Sequence, residues 1–131
     1  MTGLIYFVQI VHYPLFAEVG STRFARYEAR HMLLTTWVVA PVMLFELMSS
    51  VALLRWRPAY LNVYEAWWLL ALLLFIWVST YALQVPAHAR LSQGFEPLEL
   101  RRLLLSNWLR TAAWSLRALW LAGVLARGLQ S

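Results

Sequence analysis

The stretch MLLTTWVVAPVMLFELMSSVALL, residues 32–54, decides the fold of this chain. It contains one ionisable side chain, Glu46, in an otherwise apolar run. An apolar helix of about 20 residues is long enough to cross the hydrocarbon core of a bilayer. The stretch therefore predicts a membrane-spanning helix.

Three further apolar segments flank it, at residues 3–19, 63–85 and 103–126. The last two are also long enough to span a bilayer. The first is shorter and carries Gln9, His12 and Pro14. A signal peptide is the alternative for this segment, but a basic start and a small-residue cleavage site are missing. We therefore expect it to be retained as a membrane helix.

The connections between these segments are short and contain turn-forming residues. They are GSTR at 20–23, RWRPAYLN at 55–62, and the stretch from Gly94 to Pro97. Short connections favour antiparallel neighbours. We predict an all-α membrane protein, an antiparallel up-down four-transmembrane-helix bundle that forms a single domain over residues 1–131, with helices at about 3–20, 27–55, 61–90 and 97–127.

Composition supports this class and excludes others. Hydrophobic residues make up 62% of the chain and charged residues only 13%, too few for the surface of a small soluble domain. The chain has no cysteine, which excludes disulfides, cysteine-bound metals and thiol catalysis. The net charge of +5 does not indicate nucleic-acid binding, because the arginines lie at helix ends and inside apolar runs.

The arginines predict an orientation in a bacterial inner membrane. One end of the predicted bundle carries Arg23, Arg26, Arg30, Arg90, Arg101 and Arg102, whereas the other carries Arg55, Arg57 and Arg127. Cytoplasmic loops of membrane proteins are enriched in arginine and lysine. We therefore expect the first end in the cytoplasm and both termini outside it.

Two ionisable residues, Glu46 and Arg117, fall deep within the predicted second and fourth helices. A charge at the centre of a membrane helix costs roughly 2.5 to 3.5 kcal/mol, so it needs a partner or a function. We predict that the two side chains form a buried ion pair. The pair either fixes the register of the helices or takes part in proton transfer or anion binding.

Polar and aromatic residues also recur at helical spacing on the third and fourth predicted helices. The stripes consist of Trp77, Tyr81, Gln84 and His88 on one helix and of Asn107, Arg110, Trp114 and Arg117 on the other. Such stripes point toward the bundle interior, because lipid would reject them. We expect Tyr81, Gln84, Asn107 and Arg110 to orient a substrate or cofactor.

All three histidines are predicted to lie in one leaflet. His12 and His31 are equally distant from a turn near Ser21, and His88 ends the third helix on the same side. Glu28 precedes His31 by three residues, which is the Glu-x-x-His spacing that bundle proteins use to present a carboxylate and an imidazole to one metal.

These residues permit several interpretations. His12, His31, His88 and Glu28 could bind iron, copper or zinc. Two of the histidines could instead be axial ligands of a haem, with arginines such as Arg90 near its propionates. The histidines could also be structural, or they could line a cofactor-free site for a quinone or another hydrophobic substrate. The residues do not assign a catalytic role to any side chain.

Four segments together resemble a known group of proteins. They are VQIVHYPLF at 8–16, YEARHMLLTTWVVAP at 27–41, QVPAHARLSQGF at 84–95 and LLLSNWLRTAAWSLR at 103–117. The set resembles small, uncharacterised four-helix integral membrane proteins of bacteria. The VP–His–Leu and later NW-x-RT-x-x-W pattern is also similar, more weakly, to the anthrone-oxygenase-like membrane family. That similarity implies oxidation of a hydrophobic, aromatic substrate, with the matching residues Pro86, His88, Asn107, Arg110 and Thr111.

The function that the sequence favours is a metal- or haem-binding membrane protein, either a redox enzyme or an electron-transfer component acting on a hydrophobic substrate. Two alternatives belong to other classes. The chain could be a structural or accessory subunit bound to a membrane protein partner, with its tryptophans facing that partner or lipid. It could also be a small transporter, although no internal repeat is present.

Overall fold

The computed structural model describes residues 1–130, of which most are helical and none lies in a strand. The chain forms four helices, which confirms the prediction of an all-helical, four-helix fold. We number them α1 to α4 in chain order. Two of them, Ser21–Arg55 and Val63–Leu91, are long and apolar enough to cross a membrane.

The first helix, α1, is irregular, whereas α2 is long and continuous. Helix α1 comprises an α-helical start at Thr2–Phe7, a π-helical turn at Val8–His12 and a 3₁₀ end at Pro14–Glu18. Gly20 then adopts a φ of 77°, a backbone conformation that favours glycine, and turns the chain into α2. Helix α2 covers Ser21–Arg55, and so it begins about six residues earlier than the apolar pattern predicts.

The third helix, α3, again contains a π-helical turn. It runs as Val63–Ser79, the π turn Thr80–Gln84, and Val85–Leu91. Its start is closed by a capping box, in which the Glu65 N–H donates to Asn62 Oδ1 and the Asn62 N–H donates to Glu65 Oε2. Helix α4 covers Pro97–Gly128.

Each π turn lies just before a proline, Pro14 in α1 and Pro86 in α3. Proline cannot donate a backbone hydrogen bond, and its ring collides with the carbonyl four residues earlier. That carbonyl belongs to Ile10 in the first case and to Ala82 in the second, both inside the π turns. The wider turn accommodates the proline and rotates the helix that continues beyond it.

Contacts between helices show that α2 and α3, and likewise α3 and α4, run in opposite directions. Gln84 in α3 contacts Ser106 in α4, whereas Glu65 near the start of α3 contacts Arg127 near the end of α4. Glu28 near the start of α2 likewise contacts His88 near the end of α3.

Many apolar side chains are exposed, and several polar side chains lie among the apolar core residues between the helices. Long apolar side chains on α2, α3 and α4 are exposed, among them Leu33, Trp37, Phe45, Met48, Trp67, Phe75, Val78, Leu105 and Leu119. Polar and charged side chains are buried between the helices, among them Gln9, Glu28, Ser50, Gln84, Asn107, Arg110 and Arg117.

Candidate metal centre

Three potential metal ligands converge near one end of the bundle. Glu28 and His31 lie one turn apart in α2, and His88 lies in the segment of α3 that follows its π turn. One ligand atom from each residue can be chosen so that all three atoms lie within 4.8 Å of one another. Such a group could hold a metal ion. We call these three residues the Glu28 group.

The carboxylate of Glu28 is fully buried, and only one of its two oxygens has a hydrogen-bond partner among residues 1–130. The side chain is 0% exposed, and its Oε1 forms a short hydrogen bond with Nδ1 of His88. Its Oε2 has no hydrogen-bond partner among residues 1–130. A buried carboxylate oxygen without a partner is energetically costly, which makes Oε2 a natural position for a cation.

His88 connects this carboxylate to α1. Its Nε2 lies 3.0 Å from the hydroxyl oxygen of Tyr13, a residue that is 3% exposed. A carboxylate, an imidazole and a phenol from three helices therefore form one hydrogen-bonded chain. In metal sites, a partner on the second nitrogen of a histidine fixes its tautomer and ring orientation.

His31 makes its contacts with polar groups through Nδ1. This nitrogen lies 3.0 Å from Nε2 of His12 and 3.1 Å from Oγ1 of Thr35. His12 itself is outside the Glu28 group and is only partly buried. The structure thus brings together three of the four ligands expected from the sequence. The fourth, His12, contacts His31 but does not belong to the Glu28 group.

A buried phenylalanine fixes the three imidazoles. Phe16 is 0% exposed and contacts His12, His31 and His88 with ring centroids 5.3, 5.0 and 6.4 Å apart. The interplanar angles lie between 65° and 79°, so that all three contacts are edge-to-face. Packing of this kind restricts ring rotation and excludes water from one side of the cluster.

The two π turns are anchored to α4 by glutamines that they contain. Gln9 donates from Nε2 to the carbonyl oxygen of Leu104 at 3.1 Å and accepts from Nδ2 of Asn107 at 2.8 Å. Gln84 donates from Nε2 to Oγ of Ser106 at 3.0 Å. These bonds hold α1 and α3 at the rotation that brings Tyr13 and His88 together.

The residues expected to orient a substrate or cofactor are distributed differently. Gln84 and Asn107 form the interhelical bonds just described. Arg110 is buried, donates to Oγ1 of Thr80 at 3.4 Å, and its guanidinium lies over the ring of Trp114, 5.4 Å from the ring centroid.

Tyr81 lies on the outer surface, 64% exposed, with its ring stacked on that of Trp77 at 5.8 Å. The predicted stripe on α3 is divided: Trp77 and Tyr81 keep regular helical spacing on a face that is not buried, whereas the π turn Thr80–Gln84 shifts the register so that Gln84 is buried. Tyr81 therefore does not face the interior, although Gln84 does.

The structure also brings Glu46 and Arg117 together, at a looser distance than a direct hydrogen bond. Nη1 of Arg117 lies 3.8 Å from Oε1 of Glu46. The shorter contacts are with other residues: Arg117 donates from Nη2 to Oγ of Ser50 at 2.7 Å, and Trp114 donates from Nε1 to Oε2 of Glu46 at 3.0 Å. The amino group of Met1 lies 3.6 Å from Oε1 of Glu46.

Sequence reasoning missed the contributions of Tyr13 and Phe16. The signal available for Tyr13 is its position between His12 and Pro14, because a proline alters the helix that precedes it. No pattern in the sequence identifies Phe16, since one more aromatic residue in an apolar segment is ordinary.

Comparison of the chain with family models, with curated proteins and with solved structures finds no match. The geometry of the Glu28 group is therefore the basis for any functional assignment.

Proposed function

We propose that this chain is a multi-pass membrane protein that binds a transition-metal ion through Glu28, His31 and His88. The observation that carries the proposal is the unpartnered Oε2 of Glu28, buried beside two imidazoles whose nitrogens lie within 4.8 Å of the carboxylate. A divalent cation at this position would neutralise the carboxylate and occupy its unused acceptor.

Membrane insertion is supported by the many exposed apolar side chains. A core helix of a soluble protein can be equally long and apolar, but such a helix is mostly buried. In α2 only 11% of the most apolar 18-residue window is buried. The exposed apolar surface of α2 would be unfavourable in water and favourable in lipid. Helices α1 and α4 would cross the membrane beside α2 and α3.

The proposed orientation has the loop between α3 and α4 in the cytoplasm of a bacterial inner membrane and both termini outside. The support is the excess of arginine at that end of the bundle. Two of these arginines, Arg90 and Arg102, both pair with Glu99 and remain largely exposed.

Cysteine labelling tests this orientation without background, because the chain has no cysteine of its own. Gln93→Cys and Ala59→Cys introduce exposed thiols into the loops at opposite ends. In intact spheroplasts, we expect an impermeant maleimide to label only Ala59→Cys, and Gln93→Cys only after permeabilisation. The reverse pattern would invert the orientation, and labelling of both in intact spheroplasts would contradict a crossing of the membrane by α3.

The donor set narrows the class of metal. Two imidazoles and one carboxylate form the facial ligand set of non-haem Fe(II) sites, and the same set occurs in catalytic zinc sites. Three protein ligands leave coordination positions open for a substrate or for oxygen. A bound ion also fits the geometry better than haem does, because His12 and His31 are in direct contact and no porphyrin fits between them.

The chemistry that we propose is redox catalysis or electron transfer with a hydrophobic substrate. Iron with open coordination positions supports oxidation, and a site among exposed apolar helices is accessible to lipid-soluble molecules.

Metal analysis with matched histidine variants tests the proposal. The protein is purified in nanodiscs without chelators and titrated with Co²⁺, Zn²⁺ and, anaerobically, Fe²⁺. We expect about one ion per chain, with affinity reduced about 100-fold in Glu28→Gln and in His88→Gln because each removes a direct ligand. His12→Gln removes an outer hydrogen-bond partner of His31 and not a ligand, so we expect it to weaken binding by only about tenfold.

Two outcomes would contradict this assignment. No binding of any of the three ions to the wild-type protein would eliminate the metal centre and favour a structural subunit. A Soret band in the purified sample, lost in His12→Gln, would replace the metal ion with haem.

A further inference from the structure

A groove between α1 and α2 lies against the Glu28 group. It has a volume of about 490 Å³, and His12 and His31 form part of its wall. That volume is in the range of sites for small molecules, which are mostly apolar with a few polar groups. We call it the α1–α2 groove.

The polar groups of the α1–α2 groove are confined to one part of it. His12, His31 and Thr35 contribute a connected set of polar atoms, and Arg30 lies one residue before His31. Along α1 and α2, away from this part, the wall is apolar and includes Leu4, Leu34 and Val38. A ligand that matches this pattern has one polar end and an apolar remainder.

The polar part of the groove also has flat aromatic walls on both helices. On α1, the rings of Phe7 and His12 are stacked with an interplanar angle of 20°. On α2, the rings of Tyr27 and His31 are stacked with an interplanar angle of 9°. Aromatic surfaces of this kind favour a planar ring over a flexible acyl chain.

The position of the groove determines how a ligand would reach it. Leu34 and Val38 are 54% and 57% exposed and lie on the surface that we propose to be in contact with lipid. A ligand could therefore enter laterally from the bilayer and place its polar end beside His31, which is also one of the proposed metal ligands.

We propose that the α1–α2 groove binds a quinone, a planar ring whose carbonyl oxygen lies beside His31 and accepts a hydrogen bond from His12, and whose apolar tail follows Leu34 and Val38. This inference rests on the proposed function, because it assigns a substrate class to the site beside the metal. It concerns binding alone and requires no change in the oxidation state of the quinone.

The test uses adjacent positions in α2 as a matched pair. Leu34 lines the groove, whereas the adjacent residue Leu33 is similarly exposed and does not line it. Binding of a decyl-substituted benzoquinone is measured in nanodiscs by equilibrium titration, with empty nanodiscs as the partition reference. We expect Leu34→Trp to fill the groove and weaken binding more than about tenfold, and Leu33→Trp to leave the Kd unchanged.

A second variant tests the polar end independently of the shape of the groove. His12→Phe preserves an aromatic ring but removes both nitrogens, and we expect quinone binding to weaken about fivefold to tenfold. Equal effects of Leu34→Trp and Leu33→Trp, or no effect of His12→Phe, would overturn the proposal. Displacement of the quinone by decanoic acid at equal concentration would also overturn it, because the groove would then recognise an acyl chain.

Failure of this inference can be distinguished from failure of the metal centre. Glu28 does not line the groove, so that Glu28→Gln should lose metal and still bind the quinone. Metal binding without quinone binding would refute only the inference. Quinone binding by a protein that binds none of the metals would refute only the proposed metal centre.

Discussion

The two carboxylates buried in α2, Glu28 and Glu46, have different environments. Both oxygens of Glu46 have partners, Oε2 the indole of Trp114 and Oε1 the guanidinium of Arg117 and the amino group of Met1. The side chain of Glu46 is still 17% exposed. Glu28 is fully buried, has one short bond with His88 and has one oxygen without a partner among the described residues.

The surroundings of the two carboxylates differ in charge as well. Glu46 faces two cationic groups, the guanidinium of Arg117 and the amino group of Met1, which balance its charge. Glu28 faces imidazoles, which are neutral or charged according to their protonation and can bind a metal when neutral. The region around Glu46 therefore has the properties of a structural clamp, whereas the region around Glu28 has those of a ligand-binding site.

This difference shows how polarity inside an apolar bundle can be interpreted. Every buried polar group has a cost, so its presence alone does not distinguish packing from function. An unused hydrogen-bonding atom alone does not distinguish them either, since Nε of Arg117 and Oδ1 of Asn107 are also buried without a partner among residues 1–130. What sets Glu28 apart is that its unused atom is a carboxylate oxygen in a group with two imidazoles, where a cation would be the matching partner.

The largest effect that we expect on stability comes from Arg117→Ala. Removing the guanidinium leaves the carboxylate of Glu46 in the bundle without its charged side-chain partner, at a cost of about 3 kcal/mol in the free energy of unfolding. In the metal-free protein, Glu28→Gln should change the free energy of unfolding by less than about 1 kcal/mol. The loss of the bond with His88 is offset because the variant also removes a buried charge that is not fully compensated. Both can be measured by SDS-induced unfolding in mixed micelles.

The double variant Glu46→Ala, Arg117→Ala is the control for this comparison. It should recover about 1 kcal/mol of the loss, a modest coupling because the two charges are 3.8 Å apart. No recovery would show that the two residues act independently. A larger loss of stability in Glu28→Gln than in Arg117→Ala would reverse the assignment of structural and ligand-binding roles.

We expect a smaller effect, on metal affinity, from Tyr13→Phe. Tyr13 contacts the proposed ligand His88 but is not itself a proposed ligand. The variant removes only the hydroxyl oxygen that lies 3.0 Å from Nε2 of His88. Loss of such an outer-shell partner weakens metal binding about tenfold. Competition with a calibrated chelator measures the change, and Tyr6→Phe serves as the control because Tyr6 contacts Ser115 and not the cluster. Equal affinities of the wild type and Tyr13→Phe would show that Tyr13 does not support the metal ligand.

The sequence alone is sufficient to predict the number of helices and the similar depth of the polar residues His12 and His31. Apolar segments of sufficient length separated by short turns lead to four helices in up-down order. In that order, residues equidistant from a turn become neighbours, which is why the sequence predicts the contact between His12 and His31.

The rotation of the helices was decided only by the tertiary structure. The π turns before Pro14 and Pro86 shift the register within α1 and α3, and regular helical spacing does not contain that shift. They accompany the approach of Tyr13 to His88 and the burial of Gln84, whereas Tyr81 stays on the surface. The unpartnered oxygen of Glu28 was also beyond the sequence, since the residue types present do not reveal which hydrogen-bonding groups remain unused once the helices have packed.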